Sequence, residues 1–156
     1  MIEITITGEQ KIEATIKTVV ENSLKATMDA VMEQTLNIQR VAKGNLTESH
    51  VVDTGRLRSD IQANMKWEGE KAIGRVGTDV KYAAAIEFGS RPHWPPIDPI
   101  RQWCRRHKID EKLAFVIARK ISKVGTPAKP FLYPAFEQER PNFERLLRAS
   151  FARIAP

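Results

Sequence analysis

The sequence predicts an α+β fold with one long N-terminal helix, a small, mainly antiparallel sheet containing a β-hairpin, and a helical C-terminal half. Three observations lead to this class. Residues 9–43 contain no Pro or Gly and repeat apolar residues every three or four positions. Two short alternating stretches on either side of a Gly-containing turn follow. Residues 98–154 then return to helical spacing, with several start and stop signals.

The N-terminal region combines a short strand pattern with an unusually long helix pattern. Met1 to Thr7 alternates Ile with Glu or Thr, which is typical of a strand with one buried face. The helix from about Glu9 to Lys43, with Gly44 as its expected end, would be roughly 50 Å long. A compact domain of this size has a diameter of about 40 Å. The helix therefore either kinks around residues 35–37, or projects and needs a neighbour to cover its apolar stripe.

The segment before the sheet is predicted to be a loop followed by a short helical turn. Asn45 to Val52 has no regular apolar spacing, so a loop is expected there. Asp53 or Thr54 can then cap a turn that carries Leu57 and Ile61, because short polar side chains accept hydrogen bonds from the first free amides of a helix.

The sheet is predicted as a hairpin that leads into another short helix. Residues 61–67 alternate as a strand, residues 68–71 form a turn, and residues 72–77 return. Thr78 or Asp79 is then expected to cap a helix from about Val80 to Phe88, which Gly89 ends in a left-handed conformation.

The C-terminal half is predicted to contain three helices, separated by segments that prolines keep extended. Ser90 to Pro96 is a loop of this kind, and Thr126 to Pro130 is another, because proline disfavours helical geometry in the residue before it. The predicted helices run from Asp98, with Pro99 at the first helical position, to about Lys108; from Asp110 to Gly125; and from about Pro134 to Ile154, with a kink or restart at Pro141.

Charge is distributed unevenly along the chain. Residues 1–98 carry 12 Lys and Arg against 14 Asp and Glu, whereas residues 99–156 carry 13 against 5. This asymmetry fits contact with nucleic acid, contact with an acidic protein, or a solvated helical face rich in Arg. Trp94 and Trp103 could stack on bases in the first case. The candidate basic contact surface consists of Arg101, Arg105, Arg106, Arg119, Lys120 and Lys123.

The sequence offers little that could support catalysis. Cys104 and His107 are three residues apart on a predicted helix, with His93 and Asp98 nearby, but a closed metal site needs a second pair of ligands. Cys104 is better interpreted as a small buried hydrophobic residue. No serine lies in a strained Gly-x-Ser-x-Gly turn, so a nucleophile motif is absent from the sequence. The glycines are scattered and match no phosphate-binding motif. We therefore predict no catalytic, metal-binding or cofactor-binding residue and no enzyme activity.

The single cysteine fits a reducing compartment, and neither a signal peptide nor a membrane span is expected.

Three segments that pair Gly or Pro with apolar anchors are the most informative part of the sequence. Arg56 and Arg58 carry forked donors suited to carboxylates on a neighbouring subunit, with Asp53 and Glu87 as candidate acceptors; intrachain pairing or solvation is the alternative. We use the name aromatic clasp for a rigid group of rings next to prolines, formed by Phe131, Tyr133 and Phe136. It could dock on its own domain or on a neighbour. The segments are Asp53-Thr54-Gly55-Arg56-Leu57-Arg58, Tyr82 to Gly89 with Glu87-Phe88-Gly89, and Pro130-Phe131-Leu132-Tyr133-Pro134-Ala135 followed by Phe136.

In this order, the three segments resemble the tail-completion, or head–tail joining, proteins of long-tailed bacteriophages and prophages. The resemblance implies a single domain over residues 1–156, and it implies that the segments contribute to subunit contacts. Two departures stand out: Val51-Val52 where the family often has a proline, and a basic helical insertion at about residues 90–126. Many shorter members lack that insertion.

The resemblance also implies a function. The expected role is a structural component of the virion neck or tail that oligomerises, as a ring, and joins tail to head. The implied partners are further copies of itself and other neck, tail-terminator or tail-tube proteins, with non-specific contact to DNA. The implied location is the virion, and the host cytoplasm during assembly.

Two other functions stay open from the sequence alone. One is a small basic nucleic-acid-binding protein, which a salt-sensitive affinity for DNA would distinguish. The other is a hydrolase using Cys104 or a His.

Overall fold

A computed structural model describes residues 9–153 of the chain, with side chains from residue 12 onward. The elements are α1 (Glu9–Glu48), α2 (Arg56–Asp60), β1 (Gln62–Glu68), β2 (Lys71–Gly77), α3 (Ala83–Phe88), α4 (Ile97–Arg106), α5 (Leu113–Val124) and α6 (Leu132–Ala152). The predicted α+β class is confirmed, with the long helix first, one hairpin and a helical C-terminal half. The strand expected at Met1 to Thr7 lies outside the described residues.

The first helix is longer than the sequence predicted. It runs for 40 residues, or about 60 Å, and passes through Gly44. The predicted end at Gly44 and the predicted loop from Asn45 are therefore wrong as far as Glu48. The physical reason is burial on both sides of the glycine, since Ala42 and Leu46 are at most 1% exposed. That packing outweighs the cost of about 1 kcal/mol for a glycine inside a helix.

The N-terminal part of α1 projects beyond the core as one uninterrupted helix. Its apolar stripe is exposed: Ile12 is 61% exposed, and Ile16, Val20 and Leu24 are about half exposed or more. The C-terminal part packs antiparallel to α6. Gln34 Nε2 donates to the Glu139 carbonyl at 2.6 Å, and Asn45, later in α1, donates to the carbonyl of Phe131, just before α6. Of the two sequence-based alternatives, the structure has the projecting helix.

The sheet is the predicted hairpin. β1 and β2 pair antiparallel from Gln62 opposite Gly77 to Glu68 opposite Lys71, so a two-residue turn joins them. The inward residues of β1 are half-buried, as their alternation predicted. β2 lies directly on α1, because a Cβ built on Gly74 would lie 2.0 Å from Thr35 Oγ1. The hairpin is thus fixed to the long helix at a point where only glycine fits.

The core lies where the C-terminal part of α1 meets α2, α3 and the start of α6. Leu46 and Ile61 are 1% exposed and Phe131 is 2% exposed. The cluster consists of Ala42, Leu46, Leu57, Ile61, Val80, Ala83, Phe131 and Ala135. Its members come from all three segments that the sequence singled out.

Two predicted helix starts are displaced. α2 has Gly55 at its N-cap position, with φ of 79°, and Thr54 contributes from one position earlier, where its hydroxyl accepts a hydrogen bond from the Arg56 amide at 3.4 Å. α3 begins at Ala83 instead of Val80. Val80 to Tyr82 instead form a turn, in which the Ala83 amide donates to the Val80 carbonyl at 3.0 Å. The Asp60 carboxylate fixes the residues before this turn, because it accepts hydrogen bonds from the Thr78 hydroxyl at 2.6 Å and the Asp79 amide at 2.9 Å.

The C-terminal helices begin or continue where prolines suggested otherwise. α4 begins at Ile97, with Pro99 inside its first turn, where a missing amide costs nothing because that amide has no partner in the helix. α6 begins at Leu132 and continues through Pro141 to Ala152. Packing on α1 keeps it helical across the proline.

Candidate functional site

The second and third sequence segments are joined by one buried carboxylate. Glu87, which is 7% exposed, accepts hydrogen bonds from the Phe131 and Leu132 amides at 2.8 and 3.0 Å and from the Tyr133 amide at 2.8 Å. These amides are the free donors at the start of α6, and a negative charge there is further stabilised by the helix dipole. Glu87 therefore caps α6 with both carboxylate oxygens, and its contact with an arginine of a neighbour stays a prediction.

Further contacts hold the third segment in place. The Lys129 amide donates to the Ile86 carbonyl at 2.8 Å, and Asn45 Nδ2 donates to the Phe131 carbonyl at 3.0 Å. Phe131 is consequently buried in the core of its own domain. For this ring, the structure has the first of the two alternatives for the aromatic clasp, docking on its own domain. Tyr133 is 64% exposed and Phe136 is 49% exposed, so these two rings remain on the surface.

Exposed aromatic rings form the wall of an apolar groove of about 570 Å³. Phe88, at 78% exposed, faces Tyr133 and Phe136 across it. The floor comes from α1 and β2. We call this surface the apolar groove, and its lining includes Thr35, Ile38, Gly74, Val76, Phe88, Tyr133 and Phe136. Sequence patterns did not predict this groove. Phe88 and Tyr133 each follow a residue that the fold buries wholly or in part, and such burial is not visible in the sequence.

The first segment lines a separate cleft of about 580 Å³ against α4. Asp53 forms two hydrogen bonds with the Arg106 guanidinium, the first at 2.8 Å, and its Oδ1 lies 3.2 Å from His107 Nε2. The guanidinium, and to a smaller extent the imidazole, lower the pKa of the Asp53 carboxyl below its usual value of 3.8. Asp53 therefore holds the insertion against the first segment and is not free to receive Arg56 or Arg58.

Arg56 and Arg58 remain available for other contacts. Arg58 Nη1 donates to the Thr47 hydroxyl at 3.2 Å, and within residues 12–153 neither arginine forms a salt bridge. Their contact with a neighbouring subunit stays a prediction.

The insertion at residues 90–126 begins and ends at one backbone bridge. The Ser90 amide donates to the Thr126 carbonyl at 3.0 Å, and the Thr126 amide donates to the Ser90 carbonyl at 3.2 Å. Gly89 and Gly125, with φ of 75° and 72°, stand beside this bridge. Between them, α4 and α5 form a helical pair, and Trp94 packs edge-on against Phe115 with ring centres 5.6 Å apart.

The insertion contains nine Lys and Arg and three Asp and Glu, so its formal charge of +6 equals that of the whole chain. Half of the predicted basic surface is paired within the chain. Arg101 pairs with Asp98, Arg105 with Glu111, and Arg106 with Asp53. The exposed cations on α5, Arg119, Lys120 and Lys123, have no salt-bridge partner among the described residues. They form the part of the predicted surface that is open to a polyanion.

Side chains weighed as catalytic groups have structural roles. Cys104 is completely buried, and His107 stacks on Trp103 at a centroid distance of 4.6 Å. Ser59 donates to the Arg56 carbonyl, Ser122 donates to the Arg119 carbonyl, and Ser90 pairs with Thr126. Across residues 12–153, no group of three or more His, Cys, Asp or Glu side chains is arranged to hold a metal ion.

None of the helices in the described part of the chain has the length and apolar character needed to cross a membrane.

Substitution of Asp53 by Asn is expected to loosen the packing of the first segment on α4, with a loss of less than about 1 kcal/mol because the pair is partly exposed. Because the pKa of Asp53 is lower in the folded protein, the stabilisation is complete above the unfolded value and disappears as pH falls through the folded value. Hydrogen exchange of α4 amides between pH 7 and pH 3 measures this. Asp79→Asn is the control, and equal acid sensitivity in Asp53→Asn and the unaltered protein would contradict the expectation.

Part of the chain matches a known family. The family model described as "Bacteriophage HK97-gp10, putative tail-component" matches residues 8–89, slightly more than half of the chain. The match contains α1, the first two segments and the hairpin, and it ends at Gly89, immediately before the insertion. The third segment lies outside it. Neither the search of curated proteins nor the search of solved structures finds a significant match.

Proposed function

The chain belongs to the HK97-gp10-like family of bacteriophage tail components, and from this we propose that it is a structural component of the virion neck or tail. In this proposal it oligomerises as a ring, completes the tail and joins it to the head. The family is described as a tail component and not as an enzyme. Its proposed location is the virion, reached from the host cytoplasm during assembly.

The observation that carries the ring proposal is the separation of two uncovered apolar surfaces on one chain. The stripe from Ile12 to Leu24 lies on the projecting part of α1, whereas the apolar groove begins at Thr35. About 16 Å of helix separates Leu24 from Thr35. Two different surfaces that cannot meet within one subunit favour head-to-tail contacts, and such contacts give a ring when the rotation closes.

Disruption of the gene in a phage that carries it tests the proposed function. We expect filled heads and separate tails in lysates, with joined particles restored by the gene supplied in trans. Electron microscopy of the lysate and averaging of the neck in complemented particles provide the readout. Normally joined, infectious particles without the protein would contradict the proposal.

The remaining partners are assigned to different surfaces. Other neck, tail-terminator or tail-tube proteins would contact Arg56 and Arg58, neither of which forms a salt bridge within residues 12–153. DNA passing through the assembly would contact the α5 cations without sequence preference, since binding to phosphates needs only positive charge. The alternative of a dedicated nucleic-acid-binding protein has the same surface in its favour and differs by predicting specific binding without assembly.

Removal of the α5 cations is expected to weaken binding to duplex DNA at least tenfold at low salt. The variant is Arg119→Gln, Lys120→Gln and Lys123→Gln, and the slope of the salt dependence should fall by about 0.9 for each phosphate that the variant no longer neutralises. Fluorescence anisotropy with duplexes of two unrelated sequences measures both quantities. The matched control removes three cations from α6, by Arg140→Gln, Arg145→Gln and Arg148→Gln. Equal losses of affinity in the two variants would assign the effect to net charge alone.

A further inference from the structure

The β-hairpin has an open edge on β2. In a hairpin with a two-residue turn, the residues next to the turn, Glu68 and Lys71, form a hydrogen-bonded pair, and the pairs then alternate. Ala72, Gly74 and Val76 therefore direct their backbone amides and carbonyls away from β1. In the described part of the chain, no hydrogen bond from another element reaches these groups. This edge can accept a further strand.

The open edge continues directly into the apolar groove. Gly74 and Val76 belong to the lining of the groove, and the exposed rings of Phe88, Tyr133 and Phe136 face them. A strand added to β2 would place every second side chain among these rings. The site thus combines backbone partners with an apolar surface, which are the two requirements for recognising an extended segment.

One segment of the chain has the matching pattern. Met1 to Thr7 carries Ile at positions 2, 4 and 6 and Glu or Thr at positions 3, 5 and 7. Alternation of this kind gives one apolar and one polar face in an extended chain. β2 is also seven residues long, so both span about 23 Å at 3.3 Å per residue.

The segment cannot pair along the length of β2 in its own chain. α1 begins at Glu9, and Gly74, in the middle of the β2 edge, lies beside Val31. The 22 helical residues between them extend about 33 Å. Eight fully extended residues span at most about 29 Å, which is too short even before any length is used for pairing. An occupant with this sequence must come from a second copy.

We propose that residues 1–7 of one copy add as a strand to the β2 edge of the next copy, with Ile2, Ile4 and Ile6 in the apolar groove. Each copy then supplies one strand and receives one, which makes the contact directional and allows a ring. The inference rests on the proposed oligomer and deepens it by naming the occupant of the apolar groove, while the stripe from Ile12 to Leu24 stays available for a further contact.

Asp substitutions on the two faces of the segment test the proposal. Ile4→Asp places a charge in the groove and is expected to reduce the assembled fraction at least tenfold, whereas Thr5→Asp places the same charge on the polar face and should assemble normally. Sedimentation velocity over a range of concentrations, and decoration of isolated tails, measure assembly of the full-length chain. Equal assembly of the two variants would overturn the inference and leave the proposed function intact.

Cross-linking between copies provides an independent measurement. Copies with Ile4→Cys are mixed with copies carrying Ala72→Cys, both with Cys104→Ala, and treated with a short bismaleimide. A product containing one copy of each is expected, and Lys123→Cys in place of Ala72→Cys should give none. Assembly without the Ala72 product would also overturn the inference. Absence of assembly by the unaltered protein, in solution and on tails, would instead overturn the proposed function together with the inference.

Discussion

Substitution of Glu87 by alanine is expected to lower the free energy of unfolding by about 3–5 kcal/mol, because it leaves one buried and two partly buried amides without an acceptor. Phe131, Leu132 and Tyr133 all donate to this carboxylate at 2.8–3.0 Å. Each unsatisfied buried donor costs about 1–3 kcal/mol, and hydrogen bonds to a charged group are stronger than neutral ones. The substitution affects the junction of α3 and α6 directly, and with it the position of Phe131 in the core.

Urea unfolding followed by circular dichroism measures the change, and two variants separate its causes. Glu87→Gln keeps the shape but places an amide nitrogen against one of the donors, so a smaller loss of stability that is still above about 1 kcal/mol is expected. Glu137→Ala removes an exposed carboxylate from α6, the helix that Glu87 caps, and should change stability by less than about 0.5 kcal/mol. Similar stability of Glu87→Ala and Glu137→Ala would contradict the capping role.

The sequence predicted the elements whose pattern is local. The spacing of apolar residues in α1 and the alternation of residues 61–67 were sufficient for the long helix and the hairpin. The end of α1 was missed because Gly44 has a local preference that tertiary burial of Ala42 and Leu46 overrides. Local signals therefore identified element types well and element boundaries less well.

The functional surfaces depend on contacts between residues far apart in sequence, which periodicity cannot reveal. Glu87 reaches Phe131 across 44 residues, and Arg106 reaches Asp53 across 53. Both carboxylates were candidate acceptors for an arginine of a neighbouring subunit, with intrachain pairing or solvation as the alternative. In the fold, both accept hydrogen bonds within their own chain. Arg56 and Arg58 are consequently left without the partners that the sequence suggested, which makes them stronger candidates for contacts with another protein.

The apolar groove is a second feature that periodicity in the sequence cannot reveal. Phe88 and Tyr133 were assigned to motifs, yet each follows a residue that the fold holds in place, the buried Glu87 and the half-buried Leu132 respectively. That neighbour fixes the backbone, and the ring is then held outward. Segments that fix the shape of the subunit thereby also present its exposed aromatic surface, so one short motif can serve folding and assembly together.

Substitution of Gly125 by alanine is expected to destabilise the insertion by about 3 kcal/mol. A Cβ at this position would lie 1.9 Å from the Ser90 carbonyl oxygen and 2.9 Å from the Arg91 carbonyl carbon. These are backbone atoms, so relief requires displacement of the bridge between Ser90 and Thr126. The residue also has φ of 72° with ψ of −158°, a backbone region that is essentially restricted to glycine and costs about 1–3 kcal/mol for a residue with a side chain. Steric conflict adds roughly a further 1–3 kcal/mol.

Within the described residues, the bridge is the only backbone pairing between the two ends of the insertion. Its disruption should therefore lower the stability of the insertion more than that of the core. Hydrogen exchange is expected to rise in the amides of α4 and α5, with those of the core part of α1 little changed. Gly69→Ala provides the control for a positive φ, because its φ is 62° and nothing lies within 4 Å of the added carbon. It should cost only the conformational part, about 1–2 kcal/mol. If the two variants lose the same stability, the steric conflict at Ser90 contributes nothing, and the insertion is held by its helix packing and Asp53 alone.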